Sequence, residues 1–139
     1  IRLWIEHLQL CTTGSGKDRP QSVYLCRDAT VVLEPVDNSH DVLAYLLRLY
    51  WEGLSSPLHF FPQSAFAYAR QRLRKQTGGP AALQSAAGVM QGSEFKTGEI
   101  EEPYTRFFFD TETPLDEHFE RMATNIFEPL LEHYKRIPV

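Results

Sequence analysis

Residues 29–36, Ala29-Thr30-Val31-Val32-Leu33-Glu34-Pro35-Val36, form an apolar run that carries one acid. A few residues on, Asp41-Val42-Leu43-Ala44-Tyr45-Leu46-Leu47-Arg48-Leu49-Tyr50-Trp51-Glu52-Gly53-Leu54 begins. The first segment reads as a strand, because it is short, rich in β-branched residues and stopped by Pro35. The second reads as a helix, about Asp41 to Glu52, apolar nearly all round, which predicts a central and buried position. Asp37 to Asp41 offers N-caps for it, and Gly53 a stop.

Upstream, Ser22 to Cys26 reads as a second short strand, joined to the first by a turn at Arg27-Asp28. Before it, Ile1, Trp4, Ile5, Leu8 and Cys11 follow the spacing of one helix face, so a helix is expected to run to about Thr12. The chain opens inside that face, with no capping residue ahead of it. This predicts a single domain, residues 1–139, that is a fragment of a longer chain.

Downstream, Leu58-His59-Phe60-Phe61 lies between Pro57 and Pro62 and reads as extended. It is expected to dock beside the strand of Glu34, with helix 41–54 as a right-handed crossover. Helices follow at about 63–76 and 81–91, then a polar loop to Glu102. Tyr104 to Asp110 alternates around Phe107 and Phe109 and reads as a strand. A last helix is expected to start at Thr113-Pro114, with Thr113 as cap, and to kink or end near Phe127 because of Pro129. The fold class is therefore mixed, α+β or α/β.

The chain has 139 residues and a net charge of −4, from 14 bases and 18 acids. That excludes a uniformly basic nucleic-acid sleeve. The charge is uneven, however. Residues 1–52 carry −2, residues 53–93 carry +4 with no acid at all, and residues 94–139 carry −6. Arg70, Arg72, Arg74 and Lys75 make up the whole positive island, and four cations on one helix suit a phosphate backbone. The competing reading is plain helix chemistry, since bases near a helix C-terminus complement its dipole.

Other chemistry is thinly represented. Gly14-Ser15-Gly16-Lys17 lacks the spacing and the leading strand of a phosphate loop. His7, His40, His59, His118 and His133 show no paired ligand spacing, and His118 and His133 are expected to be solvated. Cys11 and Cys26 make no disulfide framework and read as buried thiols in a reduced, cytoplasmic protein. No apolar run is long enough to span a bilayer. No catalytic, metal or cofactor residue is assigned.

The strand bearing Glu34 and the helix after it resemble the core of the restriction-endonuclease-like PD-(D/E)xK nucleases. Those enzymes hold Mg²⁺ between two carboxylates, with a lysine two residues beyond the second, and RecB-like members add Gln-x-x-x-Tyr on the helix. Here Val36 stands in the lysine's place, and Leu46-x-x-x-Tyr50 in that of the glutamine motif. One acid without a partner cannot assemble the metal site. The expectation is a partial nuclease-like fold without active-site residues, with extra helices. The alternative is an active Mg²⁺ nuclease using Glu34 and a second acid such as Asp28.

The chain also resembles the C-terminal domain family of RecC, the gamma subunit of exodeoxyribonuclease V. The resemblance lies in Arg2-Leu3-Trp4-Ile5-Glu6-His7-Leu8, in Tyr50-x-x-Gly53-Leu54-x-x-Pro57-Leu58-x-Phe60-Phe61-Pro62 with Ser64-Ala65-x-Ala67-Tyr68-Ala69, in Gly98-Glu99 to Tyr104 before Arg106-Phe107, and in Phe119 through Phe127-x-Pro129-Leu130-Leu131. It implies a nuclease-like domain without catalysis in the RecBCD helicase–nuclease, a hydrolase complex that processes double-strand breaks for DNA repair and recombination. The implied partners are RecB-like and RecD-like subunits and double- and single-stranded DNA. Two readings compete with it: a protein-interaction scaffold that never touches DNA, and the active nuclease.

Overall fold

The computed structural model describes residues 1–14, 20–75, 79–109 and 114–138, and of Lys75 the backbone alone. Most of the Gly14–Lys17 loop and the expected cap Thr113 lie outside the described residues. The chain forms two compact units, one of Ile1–Leu54 with Pro129–Val139 and one of Ser55–Glu128. Its class is mixed α+β, mostly helical with small sheets.

In the first unit α1 (Arg2–Thr13) buries Trp4, Leu8 and Cys11 of the face read from the sequence, and His7 with them, while Ile5 is half-buried and Ile1 is exposed. Strands β1 (Ser22–Leu25) and β2 (Ala29–Leu33) form the expected antiparallel hairpin, with Ser22 opposite Leu33 and Leu25 opposite Thr30. The Cys26 N–H donates to the Ala29 carbonyl at 2.9 Å and closes the turn at Arg27-Asp28. Asp28 and Glu34 stand at the two ends of β2. Helix α2 (Ser39–Gly53) packs Val42, Leu43 and Leu46 into a core shared with Trp4, Leu8, Cys11, Leu33 and Val36.

Three expectations are corrected in this unit. First, α2 is not buried all round. Leu47, Tyr50, Trp51 and Leu54 are exposed, because one side of the helix meets the core and a three-stranded sheet with one partner helix supplies no second layer. Second, the partner of β2 is not segment 58–61. β2 lies between β1 and β5 (Tyr134–Pro138), antiparallel to both, so both of its edges are occupied and α2 is no crossover between parallel strands. The parallel βαβ unit expected of a nuclease-like core is therefore not formed there. Third, Cys26 is exposed, while Cys11 is buried as expected.

The second unit is built on α3 (Pro62–Lys75) and α4 (Pro80–Gln91). Ala82, Ala86 and Met90 form one buried stripe of α4, and Ala65 and Ala69 are fully buried on α3. Small side chains let two helix backbones approach closely. Strands β3 (Gly92–Ser93) and β4 (Lys96–Thr97) and a 3-10 turn (Glu99–Glu101) follow. Segment 58–61 is not a strand, yet Phe61 is buried, 5.2 Å from the Phe109 ring and 6.2 Å from Phe119.

The expected strand at 104–110 is instead the short helix α5 (Pro103–Phe108), with proline at its first position. Thr105 is buried and Phe109 packs inward, a spacing of four, while Phe107 is 80% exposed. The alternation at Phe107 and Phe109 was thus a chance pattern. Helix α6 (Glu117–His133) is capped by Asp116, whose Oδ1 accepts from the Phe119 N–H at 2.9 Å. It runs through Pro129 rather than ending near Phe127. Beyond the proline, Leu130 and Tyr134 pack on the first unit's core, which holds the last turn in place.

Candidate functional site

The basic island falls on α3, and the helix divides its cations. Ala65, Tyr68 and Arg72 recur at i, i+3 and i+7, one face of a helix. The Tyr68 hydroxyl donates to Glu120 Oε2 at 2.5 Å. Arg72 Nη1 donates to Thr124 Oγ1 at 2.8 Å, and its Nε pairs with Glu128 Oε1 at 3.1 Å. Arg72 is therefore committed to α6. Burial pushes the Tyr68 hydroxyl up to about 12, and the Glu120 carboxylate it bonds pushes the same way. Arg70 and Arg74 are exposed, one turn apart on another side of the helix.

The start of α3 is held by a carboxylate from far along the chain. Glu99 is buried and accepts from the Gln63 N–H at 2.8 Å, the Ser64 N–H at 2.7 Å and the Ser64 hydroxyl at 2.6 Å. A helix N-terminus carries unpaired N–H groups and partial positive charge, so a carboxylate there is stabilising. Sequence reading missed Glu99, and no local spacing marks it, since its partners lie 35 and 36 residues away.

The acids of the nuclease reading do not assemble. Glu34 pairs with Lys135, and Asp28 with Arg136 at 2.5 Å. Six residues of extended chain separate the two acids, about 20 Å at the rise of a strand. Metal ligands must lie within roughly 2–2.6 Å of one ion. Val36, in the lysine's place, is fully buried, and Leu46, in the glutamine's place, packs on the same core. Both positions are spent on packing. No cluster of three or more His, Cys, Asp or Glu suited to a metal occurs among the described residues.

Two histidines sit in polar settings that the sequence did not mark. His7 is buried, with Nδ1 2.7 Å from Ser22 Oγ and Nε2 2.9 Å from the Glu34 carbonyl, and it ties α1 to the hairpin. His59 Nδ1 lies 2.8 Å from Asp116 Oδ2. Burial pushes the Asp116 carboxyl up, but the Phe119 N–H and the His59 and His118 imidazoles outweigh it and hold the group below its ordinary range. His118 is exposed as expected, whereas His133 is half-buried, its ring 6.3 Å from that of Trp4.

Residues 1–73 match the family described as the RecC C-terminal domain. The chain belongs to that family. The match runs through α1, β1, β2, α2 and most of α3, so Glu34, Val36, Leu46, Arg70 and Arg72 lie inside it, and Arg74 and Lys75 follow directly. A RecC C-terminal domain is part of the gamma subunit of exodeoxyribonuclease V, which works with other subunits in DNA repair and recombination. No curated protein matches the chain. Among the described residues of this RecC domain, no helix is long and apolar enough to cross a membrane.

Proposed function

We propose that this RecC C-terminal domain is a non-catalytic scaffold of a cytoplasmic RecBCD-type helicase–nuclease, and that it guides DNA by phosphate contacts centred on α3. Its partners are RecB-like and RecD-like subunits and the double- and single-stranded DNA they process. The observation that carries the reading is the match of residues 1–73 to the RecC C-terminal domain. The absence of catalysis is supported by Glu34 and Asp28, each paired to a base of β5 and set at opposite ends of β2. The reading needs no nuclease-like core, and it invokes no metal or cofactor.

DNA contact is assigned to Arg70, Arg74 and Lys75, in the stretch that carries no acid. Arg72 belongs to the island in sequence, but its pairing with Glu128 leaves it the weaker contributor. That inward turn, with the net charge of −4, is what favours the second reading, a scaffold that binds only protein. Salt dependence separates the two. Replacing Arg70, Arg74 and Lys75 with Ala in the assembled complex should lower DNA affinity and reduce the log–log salt slope by roughly two to three. Unchanged affinity and slope would favour the protein-only scaffold.

A further inference from the structure

We propose that the open edge of β1 takes a further strand, parallel to it, supplied by the RecC chain that leads into α1. The sheet runs β1-β2-β5, so one side of β1 has no partner strand among the described residues. The Cys26 N–H bonds the Ala29 carbonyl. Alternation from that pair turns the N–H and C=O groups of Ser22 and Tyr24 towards β2, and those of Val23 and Leu25 outward. The side chains of Val23 and Leu25 are 54% and 85% exposed. Free backbone groups beside bare aliphatic side chains are a template for pairing, and proteins blunt such edges with charge or proline. At the other edge β5 carries Lys135, Arg136 and Pro138, whereas β1, Ser-Val-Tyr-Leu, carries neither.

Helix α1 overhangs the same edge. The Tyr24 hydroxyl donates to the Leu3 carbonyl at 3.2 Å, and His7 Nδ1 lies 2.7 Å from Ser22 Oγ. Four residues of helix rise about 6 Å and two residues of strand about 7 Å, so α1 runs antiparallel to β1 along one face of the sheet. Seen from that face with β1 running upward, L-residues that turn the Ser22 and Tyr24 side chains to the viewer set β2 on the right and the open edge on the left. The right-handed turn of α1 then places Leu3 and Leu10 on the left, 46% and 49% exposed, and Ile5 on the right, where it is half-buried. Leu3 and Leu10 would cover the inner face of an added strand, and Val23 and Leu25 would flank its outer face.

The occupant follows from direction. α1 begins at the Leu25 end of the edge, so a strand parallel to β1 delivers the chain to the start of the helix. That strand, α1 and β1 make a crossover unit. With the new strand left of β1 and the helix in front, the crossover is right-handed, the hand that nearly all such units take. A C-terminal domain of RecC has RecC chain ahead of it to supply the strand. The strand should be apolar on both faces and free of proline. The inference rests on the family and not on the DNA-guiding reading.

Hydrogen exchange of the peptide that spans β1 tests the proposal, in a RecC chain that carries the preceding segment and is free of companion subunits. Tyr24 should exchange slowly both there and in residues 1–139 alone, because its N–H is bonded to β2. Val23 and Leu25 should be slow only in the longer chain. Val23→Pro removes one outward N–H and leaves the ladder to β2 whole. Residues 1–139 should therefore keep their far-UV spectrum with this change, while Leu25 in the longer chain loses its protection. Fast exchange at Val23 and Leu25 in the longer chain would overturn the proposal, as would protection of Leu25 that survives Val23→Pro. Protection that appears only when companion subunits are added would also overturn it, and would make one of them the source of the strand.

Discussion

Replacing Glu99 with Ala should destabilise the second unit out of proportion to the size of the change. The side chain reaches from the 3-10 turn to the start of α3 and accepts three hydrogen bonds, all at 2.8 Å or less. Hydrogen bonds to a charged group are worth about 1.5–3 kcal/mol each, which sets the gross loss. Removing the carboxylate also removes the cost of keeping a charge out of water, so the net loss is smaller, about 3–5 kcal/mol. With a urea m-value of about 2 kcal/mol/M, the unfolding midpoint should fall by about 2 M. Because the chain has two units, hydrogen exchange at the Gln63 and Ser64 amides is the sharper assay, and both should exchange faster. Glu99→Gln should fall between, since it keeps one acceptor oxygen but turns a donor towards an N–H. Gly98 serves the same turn: a Cβ there would strike the Met90 carbonyl and the Gln91 backbone. A loss under about 1 kcal/mol, with both amides still protected, would show that α3 does not depend on Glu99.

Two further perturbations concern titration. Asp116→Ala removes the cap of α6 and should cost about 1 kcal/mol, measured by thermal unfolding. Because the Asp116 carboxyl is held below its ordinary range, its contribution is present above that range and lost as pH falls through the lower folded value, a dependence the variant should lack. Tyr68 works in the opposite direction. Its hydroxyl is raised to about 12, so its contribution is complete below its ordinary 10.0 and lost as pH rises from there towards 12. An ultraviolet titration should show one late tyrosine that disappears in Tyr68→Phe.

What the sequence revealed was local. The α1 face, the hairpin turn at Arg27-Asp28, and α3 and α4 follow from periodicity and breakers within a few residues of each other. The family was also legible, carried by blocks such as Gly53-Leu54-x-x-Pro57-Leu58-x-Phe60-Phe61-Pro62. The failures were long-range. β5 is a strand because β2 pairs with it, and a strand carrying Lys135 and Arg136 has no apolar run to announce it. Once β5 takes that edge of β2, segment 58–61 has no place in the sheet. Alternation misled at Phe107 and Phe109, where Pro103 starts a helix instead. Of the basic island, the sequence located the cations but not their directions, because a partner for Arg72 from α6, such as Glu128, cannot be seen from α3 alone.

The central claim is that this RecC domain takes part in DNA processing without cutting DNA. The most direct measurement is Mg²⁺-dependent cleavage of linear duplex by the assembled complex carrying Glu34→Ala. Glu34 is tied to Lys135 in an ion pair at the surface, so its loss should leave the complex assembled. The account predicts cleavage at the wild-type rate. Abolished cleavage by a complex that still assembles and unwinds DNA would contradict it and make Glu34 a catalytic carboxylate.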